Sequence, residues 1–127
     1  MKMRRDMDLI RGLLLFIEAD AKFDGTKLFA YEEPEQFGFS EKSIEEVKYH
    51  LKLLISEGFV NGTDAEKALP FISGLTWNGH EFLDNIRDKT IWERTKKRLD
   101  DLGLVSVSMN ILGEIAKAEL KKYIGLP

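Results

Sequence analysis

Between Ser43 and Asp84 the chain reads S-I-E-E-V-K-Y-H-L-K-L-L-I-S-E-G-F-V-N-G, a polar loop, then F-I-S-G-L-T-W-N-G-H-E-F-L-D. That order of signals leaves few folds open. Ser43 followed three places on by Glu46 has capping-box spacing: the hydroxyl accepts from the Glu46 amide and the carboxylate reaches back to the Ser43 amide. Ile44, Val47, Leu51, Leu54 and Ile55 then fall on one helical face, with Leu53 at its margin. Gly58 follows the last periodic residue, where a left-handed residue commonly ends a helix. Phe59-Val60 predicts a short strand, Asn61-Gly62 a tight turn, and Phe71-Ile72 the returning partner strand. Thr76 is placed to cap a further helix that carries Phe82, Leu83 and Ile86 inward. Leu69 and Pro70 are expected to fold the intervening loop back onto the body. Helix, short hairpin with a long loop, helix: this is the core of a winged helix-turn-helix.

The flanking segments extend that reading. Met3 to Ala21 predicts a first amphipathic helix, its stripe formed by Ile10, Leu13, Leu14 and Ile17. Asp24-Gly25 marks a turn, and Lys27 to Tyr31 is expected as an extra strand joining the wing sheet. Gln36 to Ser40 predicts one turn of a second helix that packs Phe37 or Phe39. Thr90 and Glu93 have the spacing of a second capping box, opening a helix from Ile91 to Leu102 that Gly103 ends. Ser106 or Ser108 should cap a last helix reaching about Ile124, with Ile111, Leu112, Ile115, Ala116 and Leu120 as its apolar stripe. Gly113 and Ala118 allow close approach there, which suits helix packing within the chain or across a two-fold axis.

The fold class is therefore α+β, mainly α. A winged-helix domain is expected over residues 1–88, with additional C-terminal helices over 89–127 packed on it or forming a dimer contact. Leu13, Ile17, Val47, Leu51, Leu54, Phe59, Trp77 and Phe82 are expected to share one core, and Trp92 to be a second tryptophan anchor.

Chemistry is harder to find. With no cysteine, disulfides and thiolate-held metals are excluded, and the composition fits a reducing compartment. No apolar run approaches the roughly 18 residues that span a bilayer, so no membrane partner is expected and a cytoplasmic location is the simplest account. His50 and His80 lack the second histidine of a zinc-protease motif. Each is expected at the edge of the core with one ring nitrogen bonded. No catalytic residue, metal ligand or cofactor site is indicated, which makes an enzyme the least supported reading.

Charge decides more. The net charge of −3 hides an asymmetry: residues 1–66 hold 9 Lys/Arg against 14 Asp/Glu, and residues 67–127 hold 10 against 8. Duplex binding depends on neutralising phosphates, so an acidic helix-turn-helix half works against it. The candidate DNA contacts are Lys48, Tyr49 and Lys52 on the helix after Ser43, and Arg94, Lys97 and Arg98 in the one basic cluster. The wing loop, with one lysine and two acids, offers no basic tip for a minor groove.

Two stretches carry a resemblance. The N-terminal M-R-R-D-M-D-L-I-R and the central L-T-W-N-G-H-E-F-L-D resemble a family of small bacterial and prophage proteins of unknown function. Its members begin M-K-R-D-M-D-L-I-R and contain L-T-W-x-G-H-E-F-L-D. D-K-T-I-W-E-R-T-K-K and the G-L-V-S-V-S tail are similar too, and the layout resembles YjcQ-like winged-helix proteins. The resemblance implies a winged helix in a phage or mobile-element setting and carries over no catalytic residue. Among the family positions, Thr76, Trp77, Gly79, His80 and Phe82 match. The expectation is a non-enzymatic winged-helix protein that binds duplex DNA or serves transcription. The alternative is a protein-interaction module whose acidic surface meets a basic partner. A homodimer through the C-terminal helix is compatible with either.

Overall fold

The computed structural model describes residues 4–65, 69–104 and 107–127. Met3, the loop residues Glu66, Lys67 and Ala68, and Ser106 lie outside the described residues. The chain divides into two compact units, Met1–His80 and Glu81–Pro127. It is mainly helical with a small two-stranded antiparallel sheet.

In the first unit, α1 (Met7–Ala19) buries Leu9, Ile10, Leu13, Leu14 and Ile17. It starts later than the periodicity predicts, because Asp6 is its N-cap and accepts from the Leu9 amide at 3.1 Å. A single-turn 3-10 helix, Pro34–Phe37, follows and buries Phe37 against Phe16 and Tyr31. Next comes α2 (Ile44–Ser56), opened by the Ser43–Glu46 capping box and ended by Gly58 at φ +78°. Val47, Leu51 and Leu54 on its inner face are buried, and α1 packs against α2. His50 is buried with them, and both its nitrogens are used, where one was expected. Nε2 accepts from the Asp6 amide and Nδ1 lies against the Glu46 carbonyl oxygen, each at 2.7 Å. Nδ1 therefore carries the proton.

Strands β1 (Val60–Thr63) and β2 (Phe71–Leu75) pair antiparallel, with a register irregularity between Asn61 and Gly62. The expected turn at Asn61-Gly62 is corrected here: both residues lie inside β1, and Gly62 does not have positive φ. Glycine is required for a different reason. A Cβ there would sit 2.5 Å from the Phe71 carbonyl oxygen and 2.9 Å from Ile55 Cδ1. The extra strand is reduced to one bridge, Phe29 with Ile72. Leu69 and Pro70 are buried, as a loop folded back onto the body requires.

Helix α3 (Trp77–Ile86) is capped by Thr76, whose hydroxyl accepts from the Gly79 amide at 2.9 Å and donates to the Gly58 carbonyl oxygen. Phe82, Leu83 and Ile86 are buried. Trp77 is not the core anchor expected, being 78% exposed. It lies about half a turn round the helix from Ile86, on the side away from the buried stripe. His80 is likewise exposed, with Nδ1 3.8 Å from Glu18 Oε2.

In the second unit, α4 (Lys89–Asp101) starts two residues before the expected capping box, because Asp88 takes the cap and accepts from the Ile91 amide at 3.0 Å. Ile91, Trp92, Thr95 and Leu99 are buried, so Trp92 is an anchor as expected. Helix α5 (Met109–Tyr123) is capped by Ser108 and packs against α4. Its buried stripe is Met109, Leu112, Gly113 and Ala116, rotated from the one expected, and Ile111 is 47% exposed. Among the described residues no helix is long and apolar enough to cross a membrane.

Asp6 ties the start of α1 to α2, because its carboxylate is also 2.9 Å from the Lys42 ammonium. Burial opposes ionisation, but the bonds from Lys42 and the Leu9 amide outweigh it and hold the Asp6 carboxyl below its ordinary range. A depressed folded-state value means stability that is present at neutral pH and is lost as pH falls through that value. Acid unfolding should therefore show a contribution that starts below about pH 3.9, the ordinary aspartate value. An Asp6→Asn variant, which keeps a capping side chain, should lose that contribution. Urea midpoints measured from pH 6 down to about pH 2, below the ordinary aspartate value, check this; identical pH profiles for the two proteins would refute it.

Candidate functional site

The outer face of α2 is the first candidate surface. Helical spacing sets Glu45, Lys48, Tyr49, Lys52 and Ser56 away from the buried Val47–Leu51–Leu54 stripe. Lys48 and Tyr49 are half-buried, and the Tyr49 ring stands edge-on to His50 with centroids 5.3 Å apart. Lys52 is exposed, and its ammonium is 3.3 Å from Asp64 in the loop after β1. Lys42, directly before the Ser43 cap, is held by Asp6 at 2.9 Å and by Glu46 at 4.0 Å. Lys42 and Lys52 thus meet carboxylates of the same chain, and the one described acid of the loop is what Lys52 reaches.

The second candidate surface is on α4. Arg94, Lys97 and Arg98 share one helical face, with Asp101 and Glu119 around a shallow hollow of about 250 Å³. Arg94 lies over the Tyr123 ring at 5.0 Å and Lys97 is 3.3 Å from Asp101. Three of the six candidate residues thus lie on α2 in the first unit and three on α4 in the second.

A third feature was missed from the sequence. Trp77 presents a large apolar face to solvent in the acidic first unit, and Glu18 reaches His80 one turn further along α3. Leu28 and Phe71 are also exposed, at 52% and 41%. Each directly precedes a residue of the isolated bridge Phe29–Ile72. The signal for Trp77 was present in the sequence. Phe82, Leu83 and Ile86 define a stripe that Trp77 does not join, and its residue type masked the phase.

A family model described as "Hypothetical protein (DUF2513)" matches residues 4–105. The chain belongs to the DUF2513 family. The matched stretch runs from just before the Asp6 cap to four residues past the end of α4 and stops short of α5. One relative is an "Uncharacterized protein" of Haemophilus influenzae, 33% identical over 125 residues, which are 96% of this chain and 99% of that protein. No solved structure matches the chain. Within this DUF2513 chain, the string from Leu75 to Asp84 separates into two kinds of position. Thr76, Gly79, Phe82 and Leu83 serve the fold as a cap, a close approach and two buried side chains. Trp77, His80, Glu81 and Asp84 face solvent.

Proposed function

We propose that the first unit is a winged helix that works as a protein-interaction module, its surface suited to a basic partner. The order of elements supports the fold: α1, the Phe29 bridge in the place of a first strand, the 3-10 turn as second helix, α2 as third, then β1, loop and β2 as the wing. The YjcQ-like layout and the prophage setting belong to this reading. The observation that carries the choice of partner is the ion pair of Lys52 with Asp64. On the helix that would enter a groove, an exposed cation is neutralised by the protein's own wing. Residues 1–80 hold 10 Lys/Arg against 14 Asp/Glu, a balance that repels phosphate and attracts cationic side chains. Trp77 supplies the exposed aromatic anchor that protein interfaces favour.

Duplex DNA is the second reading, and the face formed by Arg94, Lys97 and Arg98 is what favours it. The two readings separate in one pair of experiments. The first captures partners from nuclease-treated lysate with the wild type and with Trp77→Ala, whose stability should change by no more than about 0.5 kcal/mol for so exposed a residue. A protein retained by the wild type and lost with the variant supports the module. The second titrates a labelled duplex at about 50 mM salt, where phosphate contacts are strong. Binding there that disappears when Arg94, Lys97 and Arg98 become alanine would replace the module with a DNA-binding face on α4.

A further inference from the structure

We propose that the outer face of α5 is a two-fold contact between two copies of this chain, with the helices antiparallel and Ala118 at the axis. The Met109–Leu112–Gly113–Ala116 stripe is already buried, in a helix that packs against α4 and, at Gly113, close to Phe82 of α3. Ile111, Ile115, Ala118 and Lys122 form another stripe, spaced i, i+4, i+7 and i+11, so they stay in line along the helix. Ile111 is 47% exposed and Ala118 is exposed. Together with Arg98, Glu114 and Glu119, the stripe borders an open groove of about 280 Å³.

Charge chooses the occupant. Glu114 stands four residues before Ala118 and Lys122 four residues after it. A second α5 laid antiparallel about Ala118 sets each Glu114 opposite the Lys122 of the other copy, twice by symmetry. A parallel arrangement would set like against like. Alanine at the axis lets the two backbones come close. Lys122 already lies 3.5 Å from Glu119 with most of its side chain in solvent, so it turns between neighbouring carboxylates without being desolvated alone. The same unit also leaves Leu102, Leu104, Ile124 and Leu126 exposed, as a small core does. One helix of this length, about 22 Å, buries less than the roughly 800 Å² per partner of a standard interface. The dimer is therefore weak and concentration-dependent. This inference stands whichever partner the first unit binds.

The test is sedimentation equilibrium of the full chain over a wide concentration range, with circular dichroism to show that each variant keeps its helices. Glu114→Lys and Lys122→Glu should each weaken association by about tenfold, equivalent to about 1.4 kcal/mol. The double variant restores opposite charges across the axis and should return association to near the wild-type value. A wild type that is monomeric throughout overturns the proposal. So does a dimer that both single variants leave unchanged, or one that the double variant fails to restore.

Discussion

Gly79→Ala should destabilise the fold by about 3 kcal/mol or more, at the upper end of the usual overpacking cost, and the sign is the informative part. Alanine in place of glycine within an ordinary helix stabilises by roughly 0.5–1 kcal/mol. Here the added Cβ would lie 2.0 Å from the Phe59 carbonyl oxygen and 2.9 Å from its carbon. Those are backbone atoms, so no side-chain rotation relieves the overlap. The same carbonyl accepts from the Thr76 amide at 3.0 Å, so the clash cannot be eased without breaking the start of α3. Thermal and urea unfolding of the variant check this. A midpoint raised above that of the wild type would mean that α3 does not approach the Phe59 backbone.

Leu51→Ala should cost about 2–5 kcal/mol, the range for removing a buried leucine side chain and leaving part of its cavity. Leu51 is fully buried in the α1–α2 core, beside Val47 and Leu54 on the same face. A lowered urea midpoint with an unchanged slope is the expected signature, since the slope reports the surface exposed on unfolding. Loss of less than about 1 kcal/mol, the range of a surface change, would contradict the packing of α2 described above.

The elements legible in the sequence were those whose signals are local. The Ser43–Glu46 box, the Gly58 stop and the Thr76 and Ser108 caps each act within a turn of their own residue, and all four stand in the structure. The misread elements depended on what lies opposite. Asn61-Gly62 suggests positive φ, but glycine can also be needed for close approach, and the atoms that require it belong to Phe71 and Ile55. Asp88 and Thr90 are both acceptable caps, and Asp88 takes the role where Ile91, Trp92 and Thr95 are turned inward. In α5 two stripes compete, one through Ile111 and one through Met109 and Gly113, and packing against α4 and Phe82 settles the phase. At the candidate surfaces the charged residues could be located from sequence. The Lys52–Asp64 pairing could not, because it joins a helix to the loop beyond the next strand.

That ion pair also changes how the salt response of the first unit is to be interpreted. Both side chains are about half exposed, so dissolved ions screen them almost as they screen charges on a partner. Raising the salt weakens attraction between the acidic surface and a cationic ligand. It also loosens Lys52 from Asp64, which returns a bare carboxylate to the surface that such a ligand would meet. The two effects oppose each other, so the measured slope is the difference between them. A flat dependence on ionic strength would then be compatible with a contact made largely by charge.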